Sequence, residues 1–336
     1  MIELTTSFDE ADMNPSNDLF DKETVEIQKL IPPDNNLKLI NALNASLKGE
    51  FSLLQEQRSY QYPTKVIDGV TSQDDHFNYN GHQLLIRHYY PTEAANPKEL
   101  PLFIYLHGGG WCFSYSDQRN FFASTISKKC NVEFVLINYS LSPESPCGEA
   151  LDEVYNIYKS LTKQSPNTRS IFVCGDSAGG NLSACLIHKL KNSESIEKVE
   201  MPRALLLFYP VIDCVNDYES YHRFGSGFEL EFDVMRKYIE AYCPDVELRK
   251  SPFVSPIFGD LGGFPPSLVV TSQFDILRNE GLAFARKLDE AGVKVRYVCI
   301  ESAGHGFLAR PELKKLFDLS VKLIDDFLSL FTQLKK

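Results

Sequence analysis

The reading of this chain turns on Cys174-Gly175-Asp176-Ser177-Ala178-Gly179-Gly180. A short apolar run, Ile171-Phe172-Val173, leads into it. A run with helical character, Asn181 through Leu190, follows it. Gly175-x-Ser177-x-Gly179 between a strand and a helix is the pattern of a turn tight enough to hold a serine at strained dihedrals, with flanks that carry almost no side chain. Such a turn lifts Ser177 above the end of a sheet with a helix amino terminus beneath it. There, unpaired N–H groups and a partial positive charge meet any developing oxyanion. Taken alone, the heptapeptide is equally a tight turn with a capping serine, so the rest of the chain has to decide.

Outward from this stretch, strands and helices alternate. Leu102–Leu106 reads as a fully apolar strand, Gln118–Lys129 as a helix, Glu133–Asn138 as a strand and Cys147–Thr162 as a helix. After the elbow come a strand at Ala204–Tyr209 closed by Pro210, a strand at Leu268–Thr271, a helix at Glu280–Ala291, a strand at Lys294–Ile300 and a final helix from Glu312 to about Leu334. Continuous apolar strands between amphipathic helices mean a mostly parallel sheet covered on both faces. Lys65–Val70 and His82–Tyr90 read as antiparallel strands around the turn signal Asn80-Gly81. The alternation fails in two places. Residues 1 to about 22 are acidic and without period, and Lys22–Arg58 reads as two helices separated by Pro32-Pro33. Asp213 to about Pro256 is aromatic and irregular.

Composition bounds the function. The chain has 336 residues, 43% of them hydrophobic, and a net charge of −11. The acidic balance disfavours nucleic acid and anionic membranes. No apolar run is long enough to span a bilayer, and the first ten residues show no signal-peptide pattern. The eight cysteines form no Cys-x-x-Cys pair and read as reduced thiols of a cytoplasmic protein, a monomer or homodimer. Three Asn-x-Ser matches, at Asn44, Asn138 and Asn181, read as chance. Asp74-Asp75-His76 is a conceivable metal cluster but has no second ligand group, so it reads as a solvated turn. No metal and no cofactor is expected.

Two further motifs break the tie at the elbow. His107-Gly108-Gly109-Gly110-Trp111 directly follows the strand ending at Leu106. Its glycines let backbone N–H groups approach an oxygen without obstruction, beside the N–H of Ala178. A serine nucleophile also needs a base and a carboxylate to orient that base. Of seven histidines, His305 lies in a loop just past the last strand, with glycine on both sides. Asp275 lies just past the strand at 268–271. The order Ser177, Asp275, His305 is that of the α/β-hydrolase fold, with every member at a strand's carboxyl end. Among the aromatics, Trp111, Tyr209 and Phe307 are candidates to line an acyl pocket, against the alternative of simple core packing.

These motifs, with Tyr139-x-Leu141-x-Pro143-Glu144 and Asp275-x-Leu277-Arg278-x-Glu280-Gly281, resemble the hormone-sensitive-lipase-like esterases of the α/β-hydrolase fold, over about Leu84 to Leu330. The resemblance implies an eight-stranded, mostly parallel sheet with a helical cap. It implies Ser177 as nucleophile, His305 as base, Asp275 as its orienter, and the N–H groups of Gly109, Gly110 and Ala178 as an oxyanion hole. The cap would comprise residues 1–60 and 213–256, the catalytic domain 61–212 and 257–336. The implied activity is hydrolysis of short- to medium-chain carboxylic esters, small molecules, through an acyl-enzyme. Ser140, Ser142, Ile276 and Asn279 depart from the family pattern and are expected to touch supports near the triad. An amide hydrolase or deacetylase on the same residues is one rival. A non-catalytic small-ligand receptor is another, disfavoured because such receptors lack the histidine.

Overall fold

The computed structural model describes residues 7–9, 22–28, 34–59, 63–114, 117–163, 169–193 and 199–332. The strands are β1 (Ser7–Asp9), β2 (Val70–Tyr79), β3 (His82–Pro91), β4 (Leu102–Leu106), β5 (Glu133–Ile137), β6 (Ile171–Asp176), β7 (Ala204–Phe208), β8 (Ser267–Phe274) and β9 (Val295–Gly304). They form one sheet in the order β1-β9-β8-β7-β6-β4-β5-β3-β2. The eight strands expected from the sequence are β2 to β9, and the three residues of β1 add a parallel ninth beside β9. β1 lies within the acidic, aperiodic segment at residues 1 to about 22. Residues 7–9 pair with β9 and Lys22 opens the first helix, while the others of that segment lie outside the described residues.

Each buried strand sends alternate side chains to opposite faces, and each face has its own helices. Leu102, Ile104, Leu106, Val135, Val173, Leu205 and Val269 pack on one side with α5 (Glu149–Lys163), α6 (Ala178–Lys191) and α9 (Arg278–Glu290). Phe103, Tyr105, Phe134, Phe172, Cys174, Leu206 and Val270 pack on the other with α4 (Asn120–Cys130) and α10 (Lys314–Thr332). With both faces covered, the central strands read as continuous apolar runs, which is why they were legible.

The sheet's other edge corrects the sequence reading. Strand β2 begins at Val70, not Lys65, and runs through Asp74-Asp75-His76, which lie mid-strand rather than in a turn. Most of β2 is exposed, so its polar side chains carry no burial pattern. The charges suit an edge that must not pair with another chain. The hairpin closes at Asn80-Gly81, both at positive φ (47° and 84°), with Tyr79 opposite His82.

Among the described residues between Lys22 and Ser59 there are three helices rather than two: α1 (Lys22–Gln28), α2 (Asn35–Ser46) and α3 (Ser52–Ser59). The apolar period over Leu37–Leu54 is interrupted at Gly49, whose φ of 86° ends the turn after α2. Pro32-Pro33 lies outside the described residues. Downstream, α7 (Glu219–Phe224) and α8 (Phe232–Tyr242) occupy the irregular stretch. Ala42 and Leu43 of α2, Leu54 of α3, Ala241 of α8, and Cys112 and Phe113 form a separate small core above the sheet.

Candidate active site

Four loops leave the carboxyl ends of parallel strands at the same edge of the sheet. His107 follows β4, Ser177 follows β6, Asp275 follows β8 and His305 follows β9. Ser177 sits at φ 54°, ψ −120°, a conformation that a non-glycine residue holds only when its surroundings over-determine it. Those surroundings are visible. Its N–H donates to Phe208 O (2.9 Å) and its carbonyl accepts from Asn181 N (3.0 Å) and Val211 N (3.2 Å). A Cβ on Gly175 would fall 2.2 Å from Gly179 O, and one on Gly179 would fall 2.0 Å from Leu106 O. Both glycines are therefore required by close backbone approach.

His305 Nε2 is 3.0 Å from Ser177 Oγ, and its Nδ1 is 2.8 Å from Asp275 Oδ2. The other oxygen of Asp275 accepts from Leu277 N (3.0 Å), so the buried carboxylate is fixed from both sides. The Tyr209 ring lies 4.8 Å from the imidazole. Burial works against a charged His305, but the charge and hydrogen bond of Asp275, with smaller help from Asp176 and Glu229, outweigh it. The net shift in its pKa is upward.

Asp176, beside the serine, joins the two halves of the site, a role the sequence reading did not assign. Its Oδ1 accepts from Tyr105 OH (2.5 Å) and Gly108 N (2.8 Å). Its Oδ2 lies 3.3 Å from Arg119 Nη2 and accepts from Tyr209 OH (3.4 Å). Gly108 has no room for a side chain, since a Cβ there would meet Asp176 Oδ2 at 2.6 Å. The glycine loop is thus drawn onto the elbow. Gly109 and Gly110 follow at φ 126° and 58°, and Ala178 is the first residue of α6. Tyr139 OH donates to His107 O (2.6 Å) and stacks on the His107 ring.

The cavity over Ser177 has a volume of about 990 Å³. Phe113, Val211, Leu230, Val234, Met235 and Tyr238 supply its apolar wall. Asn35, Asn36, Gln57, Gln118, Glu229 and Arg310 supply polar groups. Trp111, Tyr209 and Phe307 are not on this wall. Trp111 stacks on Tyr242, with centroids 4.1 Å apart. Tyr209 and Phe307 pack edge to face beneath the site, and Tyr209 OH accepts from Leu308 N (3.0 Å). All three are at most 1% exposed. Aromaticity beside a motif does not distinguish cavity from core, and all three belong to the buried core.

Glu229 was not anticipated. Its Oε2 is buried with no hydrogen-bond partner, and burial pushes its pKa up to about 7. Gly304, next to His305, makes room for it, since a Cβ there would fall 1.8 Å from Glu229 Oε2. The four departures from the family pattern lie in supporting turns. Ser140 N and Oγ both donate to Glu153 (2.8 and 2.6 Å), and Ser142 Oγ donates to Ser145 O (2.8 Å). Ile276 O and Asn279 N share Ser220 Oγ, and Asn279 Oδ1 is buried without a partner. No group of three or more metal-ligating side chains occurs among the described residues.

A family described as having the alpha/beta hydrolase fold matches residues 103–309. The chain belongs to it, within the hormone-sensitive-lipase-like branch whose motifs it carries. It is 26% identical over 265 residues to an ethyl acetate hydrolase of Pseudomonas putida, covering 76% of this chain and 82% of that protein. It is 30% identical over 229 residues to the carboxylic ester hydrolase LipN of Mycobacterium tuberculosis, covering 66% of this chain and 60% of that one. The crystal structure of a thermostable esterase from Pseudomonas putida ECU1011 shares the fold with a TM-score of 0.76 at 24% identity, covering 91% of this chain and 95% of that one.

Proposed function

We propose that this protein is a serine carboxylic ester hydrolase acting on short- to medium-chain esters through an acyl-enzyme. The observation that carries the reading is the series Asp275–His305–Ser177, with spacings of 2.8 and 3.0 Å, at the mouth of a cavity. Asp275 holds Nδ1–H and so leaves Nε2 free to take the hydroxyl proton. Ser177 Oγ attacks the ester carbonyl, and the N–H groups of Gly109, Gly110 and Ala178 receive the oxyanion. His305 returns the proton to the leaving alcohol. Water then repeats the sequence on the acyl-enzyme.

The glycine loop, drawn down by Asp176, supports the oxyanion assignment. A Cβ on Gly110 would sit 2.5 Å from the Tyr238 ring, so α8 closes over that loop. Residues 1–60 and 213–256 act as the cap, and the bounded cavity suits acyl chains of modest length. No helix among the described residues is long and apolar enough to cross a membrane, and a cytoplasmic monomer or homodimer is the assembly proposed. Ser177→Ala should retain the fold and lose nearly all p-nitrophenyl acetate turnover. Substantial residual turnover in a folded variant would reject the assignment. Matched aryl esters and anilides separate the esterase reading from an amide hydrolase.

A further inference from the structure

Two of the eight cysteines, neither of them on the wall of the cavity over Ser177, meet each other. Cys147 lies in the loop before α5 and Cys243 directly follows α8, 96 residues further on, and their Sγ atoms are 3.1 Å apart. The backbones are already clamped together, because Cys147 N donates to Tyr242 O at 2.7 Å. Closing the sulfurs to bonding distance needs only about 1 Å of movement. Cys147 is partly exposed, so a small oxidant can reach it, whereas Cys243 is buried. The contact favours the thiolate of Cys147 by hydrogen bonding and lowers its pKa, while Cys243 is shifted upward. The difference in exposure suits Cys147 as the attacking and Cys243 as the resolving thiol. Arg249 Nε donates to Cys243 O (2.8 Å) and fixes the turn that presents it.

We propose that Cys147 and Cys243 form a reversible thiol–disulfide site that staples helix α8 to the loop before α5. The oxidant is a low-molecular-weight disulfide such as glutathione disulfide. The Cys147 thiolate attacks one of its sulfurs, forming a mixed disulfide and expelling one glutathione thiolate. Cys243, giving up its proton, then attacks the sulfur of Cys147 and expels the second. Two protein thiols are oxidised to one disulfide, one glutathione disulfide is reduced to two thiols, and the two protein protons pass to the expelled thiolates. The crosslink closes a loop of nearly a hundred residues, where constraint of the unfolded chain is large. It also holds Tyr242 on Trp111, the residue that follows the glycine loop. The site rests on thiol geometry and is independent of the ester reaction.

The test is to incubate the reduced full-length protein with glutathione disulfide, count thiols under denaturing conditions, and map peptides without reduction. The thiol count should fall by two, the mapped link should join Cys147 to Cys243, and the thermal midpoint should rise by several degrees and return with dithiothreitol. Cys147→Ser and, separately, Cys243→Ala should abolish both the link and the rise. A link between other cysteines, a stable glutathione adduct at Cys147 without a crosslink, or an unchanged or lower thermal midpoint in the crosslinked protein would overturn the proposal.

Discussion

At the scale of single residues, the informative group is Glu229, a carboxyl from the stretch before α8 set against Gly304, the glycine that precedes His305. Its pKa is raised by burial from 4.5 to about 7. Between those values the folded protein holds a proton that the unfolded chain has lost. Its favourable contribution is therefore full at low pH and disappears as pH rises through about 7. The cost at pH 8 is at most about 3 kcal/mol. Glu229→Gln should accordingly unfold at a higher denaturant concentration than the parent at pH 8 and at nearly the same concentration at pH 5. Equal stability gains at both pH values would contradict the buried-charge account. The same carboxylate helps raise the pKa of His305. The acid limb of kcat/KM, set by the neutral imidazole, should thus lie above the ordinary imidazole value and move to lower pH in Glu229→Gln. A pH–rate profile over pH 5–9 checks both.

The motifs made Ser177, Asp275 and His305 legible because each needs glycine or a strand end at a fixed place, and those leave marks in the sequence. Glu229 left none. An isolated acidic residue among aromatics reads as surface until the fold brings Gly304 beneath it. Trp111, Tyr209 and Phe307 show the converse, since an aromatic next to a motif carries no mark of whether it faces the cavity or the core.

At the scale of elements, the short helix α3 shows how the N-terminal segment is tied to the sheet. Arg58 Nε donates to Cys112 O (2.8 Å) and its Nη2 to Ser142 O (2.9 Å). Both terminal nitrogens also bond Glu144, at 2.5 and 3.0 Å. One guanidinium therefore joins α3 to the loop beyond Trp111 and to the Pro143-Glu144 motif. Arg58→Ala should destabilise the protein by about 1–3 kcal/mol, measured by denaturant unfolding. Arg58→Lys should recover little, because an ammonium cannot span all three partners. Full recovery by lysine would show that only the charge matters.

Glu280 has a similar role within the main domain. Buried and held well above the ordinary carboxyl range by that burial, it accepts from Ile212 N (2.6 Å) and Tyr221 OH (2.9 Å) where the chain leaves β7 for α7. Element types were readable where both sheet faces are covered, as for β4 to β8. Bounds were misread where periodicity is weak, as in exposed β2, and where a glycine interrupts it, as Gly49 divides the helical run over Leu37–Leu54.

At the scale of the whole molecule, one sheet edge collects four loops from strands distant in sequence, and helices from two separated segments close over them. α2 and α8, nearly two hundred residues apart, share the small core around Leu43 and Ala241. The cavity is therefore bounded by parts that the alternating pattern could not place, and its mixed lining of Met235 and Tyr238 against Gln118 and Glu229 was not visible in the sequence. A bounded cavity of about 990 Å³ predicts that kcat/KM across p-nitrophenyl esters peaks at short or medium acyl chains. A maximum on emulsified long-chain esters would contradict that geometry.

The most direct test of the central claim is reaction of the intact protein with a fluorophosphonate, followed by peptide mass mapping. A single stoichiometric adduct on Ser177 is predicted, absent in Ser177→Ala and formed far more slowly in His305→Ala. No adduct, or an adduct on another residue with ester turnover intact, would contradict it.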